Sequence, residues 1–202
     1  RVEQREIDCT RHAEHMTGES YLAVLDALHD VDIKTIVCRQ EGGAAYMAEA
    51  AGKITGQPGI VMVTRGPGAT NASPGIHIAE HDSTPLIMFV GQVQRPAQGR
   101  GAFQEMDYRA VFGSFAKWVV EIDRAERIPE IVSRAFHVAT QGRPGPVVIA
   151  LPEDMLTDEV EVTDALPCAP VVMKPGVSDM EALQRRLLSA ERPIILAGGS
   201  GW

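Results

Sequence analysis

One acidic side chain stands out by its setting. In residues 36–56, IVCRQEGGAAYMAEAAGKITG, an apolar strand (Ile36-Val37-Cys38) runs into Arg39-Gln40-Glu41, then into two glycines and a row of small residues. Small residues at that spacing fit a helix pressed closely against its neighbours. Glu41 therefore falls where a strand ends and a tightly packed helix begins. In a parallel α/β sheet that edge is where ligands bind. A glutamate in apolar surroundings there holds its proton more tightly and can exchange it near neutral pH. The plainer reading is a helix N-terminal carboxylate favoured by the macrodipole.

Two further stretches have chemical potential. In Val63–Asn71, VTRGPGATN, a strand delivers a Gly-Pro-Gly turn, and Asn71 is placed to cap the next helix. Gly66 and Gly68 allow a ligand close to the backbone. The third glycine of a dinucleotide fingerprint is missing, and no Gly-Lys-Ser/Thr follows as in a P-loop. The alternative is a plain strand-to-helix turn. In Gly101–Asp107, GAFQEMD, Phe103 and Gln104 could present a ring and an amide to a pocket; otherwise one buried aromatic anchors a loop. His81-Asp82 reads as a helix end, because adjacent helical residues point in different directions. His77 and His81 have metal-compatible spacing, but no third ligand accompanies them, and no metal site is expected.

These stretches need a scaffold. Residues 19–29 carry Leu22, Leu25 and Leu28 on one helical face. Strands are predicted at 33–38, 59–64, 85–90, 117–122 and 146–151, with helices at 42–54, 72–80 and 129–140 between them. Nearly unbroken apolar strands fit a sheet covered on both faces. The alternation predicts an α/β fold with a doubly wound, mostly parallel sheet. Beyond Leu151 the stretch 152–177 holds four prolines and many acids and reads as a linker. Ser178-Asp-Met-Glu181 is a capping-box pattern opening a helix through Leu188, and RPIILAGGSGW reads as a buried strand and glycine turn. The expected organisation is an atypical segment 1–16, a main domain 17–160, a linker 161–177, and the start of a truncated second α/β domain at 178–202. A longer parent polypeptide is expected.

Composition narrows the function classes. A net charge of −8 without a basic stripe argues against nucleic acid as partner. No apolar run reaches the roughly 20 residues that span a bilayer. RVEQREIDCTRHAEHM lacks the apolar core of a signal peptide. Cys9, Cys38 and Cys168 are widely spaced, so neither a disulfide framework nor a zinc site is expected, and the cytoplasm is the expected compartment.

Six stretches, RQEGGAAYMAEAAGKITG, VTRGPGATN, DSTPLIMFVGQV, AFQEMDYR, KWVVEI and GRPGPVVIALPEDM, occur here in one order. That series closely resembles the N-terminal pyrimidine-binding domain of thiamine-diphosphate enzymes of the acetolactate synthase type, over about residues 17–160. The linker and RPIILAGGSGW resemble the start of that family's central domain.

The resemblance implies that Glu41 hydrogen-bonds the cofactor's aminopyrimidine and promotes the tautomer that generates the thiazolium ylide. The ylide would attack a 2-oxo acid such as pyruvate, release carbon dioxide, and pass the carbanion to a second carbonyl compound. Pro67 and Gly68 would pack on the same ring, and Asn71 belongs with these cofactor-binding residues. Phe103 and Gln104 match positions facing the reacting carbon and substrate, which places Gln104 with Glu41 among the catalytic candidates. Gly18-Glu19-Ser20 resembles a loop that also borders the cofactor. The diphosphate and its magnesium ion would bind a C-terminal domain, usually of a neighbouring subunit. A homodimer or homotetramer with active sites between subunits is thus implied, with an inactive isolated chain and no metal ligand in it. Some members carry FAD in the central domain, and branched-chain amino acid biosynthesis is the implied setting.

The sequence departs from the pattern at residues 1–16, where no helix and strand are evident, and at Thr17, where proline is expected. A missing first strand would leave an unpaired sheet edge. Arg65 stands where acetolactate synthases commonly have serine, which bears on whether acetolactate is the product. Two other readings stay open. One is an oxidase or decarboxylase without ligation, similar to pyruvate oxidase. The other is a non-catalytic α/β binding module.

Overall fold

The computed structural model describes residues 12–15, 18–169, 171, 173–196 and 198. Thr17, the first eleven residues and most of the final glycine turn lie outside them. Six strands, β1 (His12–His15), β2 (Lys34–Val37), β3 (Gly59–Val63), β4 (Leu86–Gln92), β5 (Trp118–Glu121) and β6 (Pro146–Pro152), form one sheet in the order β2-β1-β3-β4-β6-β5. Every pairing is parallel. Helices cover both faces, so the fold is the doubly wound α/β sheet that the alternation predicted. β3, β4 and β6 are the apolar runs at its centre, and β6 is buried throughout.

The expectation of a missing first strand is overturned. β1 lies between β2 and β3 rather than leaving an edge, its residues Glu14 and His15 aligned with Val61 and Met62. HAEH contains no β-branched residue, so it carries no strand signal of its own. Two neighbours with unpaired backbone groups supply the pairing, and context overrides propensity.

One face of the sheet is packed by α2 (Glu41–Thr55), α3 (Pro67–His81) and the short α4 (Tyr108–Phe112). Ala44, Ala45, Ala48, Ala69 and Ala72 are buried there. The helices touch closely: a Cβ on Gly75 would fall 2.6 Å from Ala45 Cβ. α2 also lies almost on the start of β3, where a Cβ on Gly59 would fall 1.8 Å from the Ala48 carbonyl oxygen. The other face is packed chiefly by α5 (Ile128–Thr140), through Ile131, Ala135 and Ala139 against Ile87, Val147 and Ile149.

α3 begins earlier than predicted, and Asn71 is not its cap. Gly66 is the N-cap, with Pro67 in the first turn, where its fixed φ is pre-organised for a helix. Asn71 lies further along the helix, free to point its side chain elsewhere. Pro74 interrupts the helix interior and cannot donate to the Thr70 carbonyl, but the Ser73 hydroxyl donates to that oxygen instead, at 2.7 Å.

Near the N-terminus, a 3-10 turn at Glu19–Tyr21 precedes α1 (Leu22–His29). Tyr21 takes the buried position, while Leu22 points outward. Residues 158–176 contain no helix or strand among those described, consistent with a linker. α6 (Val177–Ser189) starts one residue before the predicted capping box, with Gly176 as N-cap and no side-chain cap bond. Ser178 is thereby inside the first turn, and the box does not form. The predicted strand in RPIILAGG is absent too: 193–196 are irregular, and Ile194, Ile195 and Leu196 are exposed. A strand needs a neighbour to pair its backbone groups, and none of the described strands lies beside it. Cys168 is a free thiol, and the Cys38 thiol donates toward the Ile36 carbonyl at 3.9 Å. No helix among the described residues is long and apolar enough to cross a membrane.

Candidate active site at the switch point of the sheet

The chain moves outward in opposite directions from β1 and β3, which makes their carboxyl ends the topological switch point. Three segments meet there: Gly18–Ser20 after β1, Gln40-Glu41 after β2, and Thr64–Gly68 after β3. The Ser20 and Thr64 hydroxyls are 3.0 Å apart, joining the first segment to the third.

Glu41 opens α2. Gln40 is the N-cap, its side-chain oxygen accepting from the Gly43 N–H at 2.8 Å. The Glu41 side chain is half-buried, not enclosed in an apolar pocket. Its Oε2 accepts a hydrogen bond from Asn71 Nδ2 at 3.2 Å. Its Oε1 faces Gly68, where an added Cβ would lie 3.6 Å away. Asn71 thus holds one carboxylate oxygen across the gap between α2 and α3, and the other has no hydrogen-bond partner among the described residues. The buried Tyr21 hydroxyl feels the Glu41 charge: it titrates above its usual range, mainly through burial and secondarily through that carboxylate.

The turn after β3 is tightly constrained. Gly66 has φ 60° and ψ −112°, a conformation that side-chain-bearing residues rarely adopt. A Cβ on Gly66 would fall 2.9 Å from Gln104 Cβ, so the predicted 101–107 loop is brought onto this turn. Gln104 is half-buried and itself has φ 65°. Phe103 is 81% exposed, which excludes the alternative of a buried aromatic anchor. The loop is held instead by Glu105, whose carboxylate accepts from Gly99 N at 2.5 Å and Ala102 N at 3.1 Å. These backbone donors, Gly99 first, draw its titration below the usual range. Pro67 is exposed, whereas Gly68 is buried.

Three residues that brace the site carried no signal recognised in the sequence. Tyr108 Oη accepts from Gly66 N at 3.3 Å and donates to the Gly91 carbonyl at 2.8 Å. Burial pushes the Tyr108 hydroxyl up to about 12, against the lowering effect of the Gly66 N–H and the Arg65 charge. Glu153 accepts from Arg65 Nη1 at 2.6 Å. Tyr21 is buried, its hydroxyl donating to the Met62 carbonyl on β3 at 3.5 Å. His77 and His81 lie ring against ring at 4.5 Å, and no group of three or more His, Cys, Asp or Glu able to hold a metal occurs among the described residues. Asp82 caps α3 and pairs with Lys53, as a helix end.

A parallel doubly wound sheet with a carboxylate and a glycine turn facing each other at its switch point defines a cofactor-binding α/β domain. Residues 10–111 match the family described as thiamine pyrophosphate enzyme, N-terminal TPP binding domain, and the chain belongs to that family. Among its relatives, the acetolactate synthase large subunit of Lactococcus lactis is 41% identical over 187 residues, covering 90% of this chain and 32% of the relative. The probable acetolactate synthase large subunit of Methanocaldococcus jannaschii is 38% identical over 190 residues, with 90% and 32% covered. The acetolactate synthase of Bacillus subtilis is 32% identical over 201 residues, with 96% and 35% covered. The chain spans about a third of the length of these curated relatives.

Proposed function

We propose that this chain supplies the pyrimidine side of a thiamine diphosphate site in a 2-oxo acid carboligase of the acetolactate synthase type. The observation that carries this reading is the Glu41 carboxylate, fixed through Oε2 by Asn71, with Oε1 beside Gly68 and without a hydrogen-bond partner among the described residues. Thr64 Cγ2 fills the place a Gly68 Cβ would take, so the Gly68 backbone lies beside Glu41 Oε1 with no side chain between them, and that oxygen is the one we assign to an aminopyrimidine nitrogen. Glu41 would hold a proton at Oε1 and share it with a ring nitrogen. Asn71, donating to Oε2, keeps the proton on the other oxygen. Pro67 and Gly68 would form the wall against the ring, with Phe103 and Gln104 toward the substrate. When bound, the cofactor supplies a carbon nucleophile that takes up a 2-oxo acid and retains the electrons freed as carbon dioxide leaves.

The relatives' names support acetolactate formation, and we assign pyruvate as the 2-oxo acid and branched-chain amino acid biosynthesis as the setting. We assign the diphosphate and its magnesium ion to a part of the whole enzyme beyond these residues, and likewise any FAD. The whole enzyme is proposed to be a cytoplasmic homodimer or homotetramer with active sites between subunits, and the isolated chain to lack turnover. The test is pyruvate consumption by the full-length polypeptide, which should require both thiamine diphosphate and magnesium. Calorimetry showing no thiamine diphosphate uptake would rule the reading out.

Asn71→Ala should cost about 10-fold in kcat, the equivalent of one hydrogen bond to a charged group. Asn71→Asp should cost more, since it sets a second carboxylate against Glu41. Steady-state rates at saturating cofactor check both.

A further inference from the structure

Arg65 and Glu153 close a circuit of hydrogen bonds across the carboxyl ends of three strands. Arg65 Nη1 donates to Glu153 Oε2 at 2.6 Å. Glu153 N donates to the Gln92 carbonyl at 3.2 Å, at the end of β4. One residue back along β4, the Gly91 carbonyl accepts from Tyr108 Oη, which in turn accepts from Gly66 N. Gly66 is bonded to Arg65, so the circuit returns to its start. It ties β3, β4 and β6 together around the residue whose φ of 60° sets the direction of the Gly66-Pro67-Gly68 turn.

The pair is poorly suited to a purely stabilising role. The Arg65 and Glu153 side chains are 16% and 30% exposed, so both charges are largely desolvated. Arg65 Nε is buried and has no acceptor among the described residues. Desolvation and an orphaned donor offset much of what the ion pair contributes. What it does supply is geometry, because a guanidinium held by a carboxylate has a fixed direction.

We propose that Arg65, held by Glu153, is a positioning residue that sets the cofactor turn, so that its loss weakens thiamine diphosphate binding without slowing the chemistry of the bound cofactor. This rests on the function proposed above. In this reading Arg65 acts through Gly66, the residue bonded to it at the head of the turn.

The test uses the full-length polypeptide with magnesium. Arg65→Met and Glu153→Gln should each raise the Kd for thiamine diphosphate about 10-fold by calorimetry, while kcat at saturating cofactor changes less than 2-fold. The double reversal Arg65→Glu with Glu153→Arg should bring Kd back within about 3-fold of wild type. Unchanged Kd in both single variants would overturn the proposal, as would a Kd loss that the reversal fails to rescue. So would a kcat loss equal to the Kd effect, or a fall in melting temperature large enough to account for it. If the wild-type protein itself takes up no thiamine diphosphate, the proposed function falls first and this positioning role with it. Wild-type uptake with unaffected variants removes only the latter.

Discussion

Glu41→Gln should abolish nearly all cofactor-dependent turnover of the full-length enzyme, by about 10²–10⁴-fold, the range for losing a positioned proton donor. The substitution is nearly isosteric. The glutamine carbonyl still accepts from Asn71 Nδ2, which now holds Oε2 at 3.2 Å, so the side chain keeps its place across the gap between α2 and α3. What disappears is the exchangeable proton at the oxygen beside Gly68. The fold should tolerate the change. Glu41 is half-buried at the start of α2, and its favourable interaction with the helix dipole is worth about 0.3–1 kcal/mol. For a domain of this size that lowers the melting temperature by no more than about 4 °C. Rates measured beside a thermal melt would separate the two effects. Turnover at the wild-type level in the variant would remove Glu41 from the mechanism.

Gly59→Ala should act on the scaffold instead, destabilising it by about 3 kcal/mol or more, the upper end for overpacking. The new methyl carbon would sit 1.8 Å from the Ala48 carbonyl oxygen and 2.6 Å from its carbon. Both are backbone atoms, so no rotamer change relieves the clash. α2 must lift from the sheet, and with it go the buried contacts of Ala44, Ala45 and Ala48 and the position of Glu41 at its N-terminus. Against a typical total stability of about 5–15 kcal/mol, the loss is large. Urea unfolding should show a clearly lower midpoint with an unchanged slope. An unshifted midpoint would mean that α2 does not lie this close to β3.

The parts of the fold legible in the sequence were those with strong apolar runs. β3, β4 and β6 have them, and each formed within two residues of its expected bounds. β1 could not be read, because His12–His15 has no residue type that favours a strand and exists as one only through its neighbours. The strand expected near Ile194 failed for the complementary reason: its residues suit a strand, but none of the described strands lies beside them. At the site, Glu41, Gly66 and Gly68 were recognisable from local order alone. Asn71 was recognisable as polar and well placed, yet its role changed from cap to carboxylate holder once α3 began at Pro67. Tyr108 and Glu153 brace a turn more than 40 residues earlier in the chain, and contacts of that range leave no local pattern.

β2 forms one edge of the sheet and is largely exposed, whereas β4 lies buried near its centre. α2 follows β2 in the chain but packs inward, on the cluster that β3, β4 and β6 share, so it acts as a splint from the edge to the centre. Local opening should therefore start at this edge, and amides of β2 should exchange with deuterated solvent well before those of β4. Glu41 sits at the end of the splint, which ties the order of the candidate site to the closure of the sheet's exposed edge.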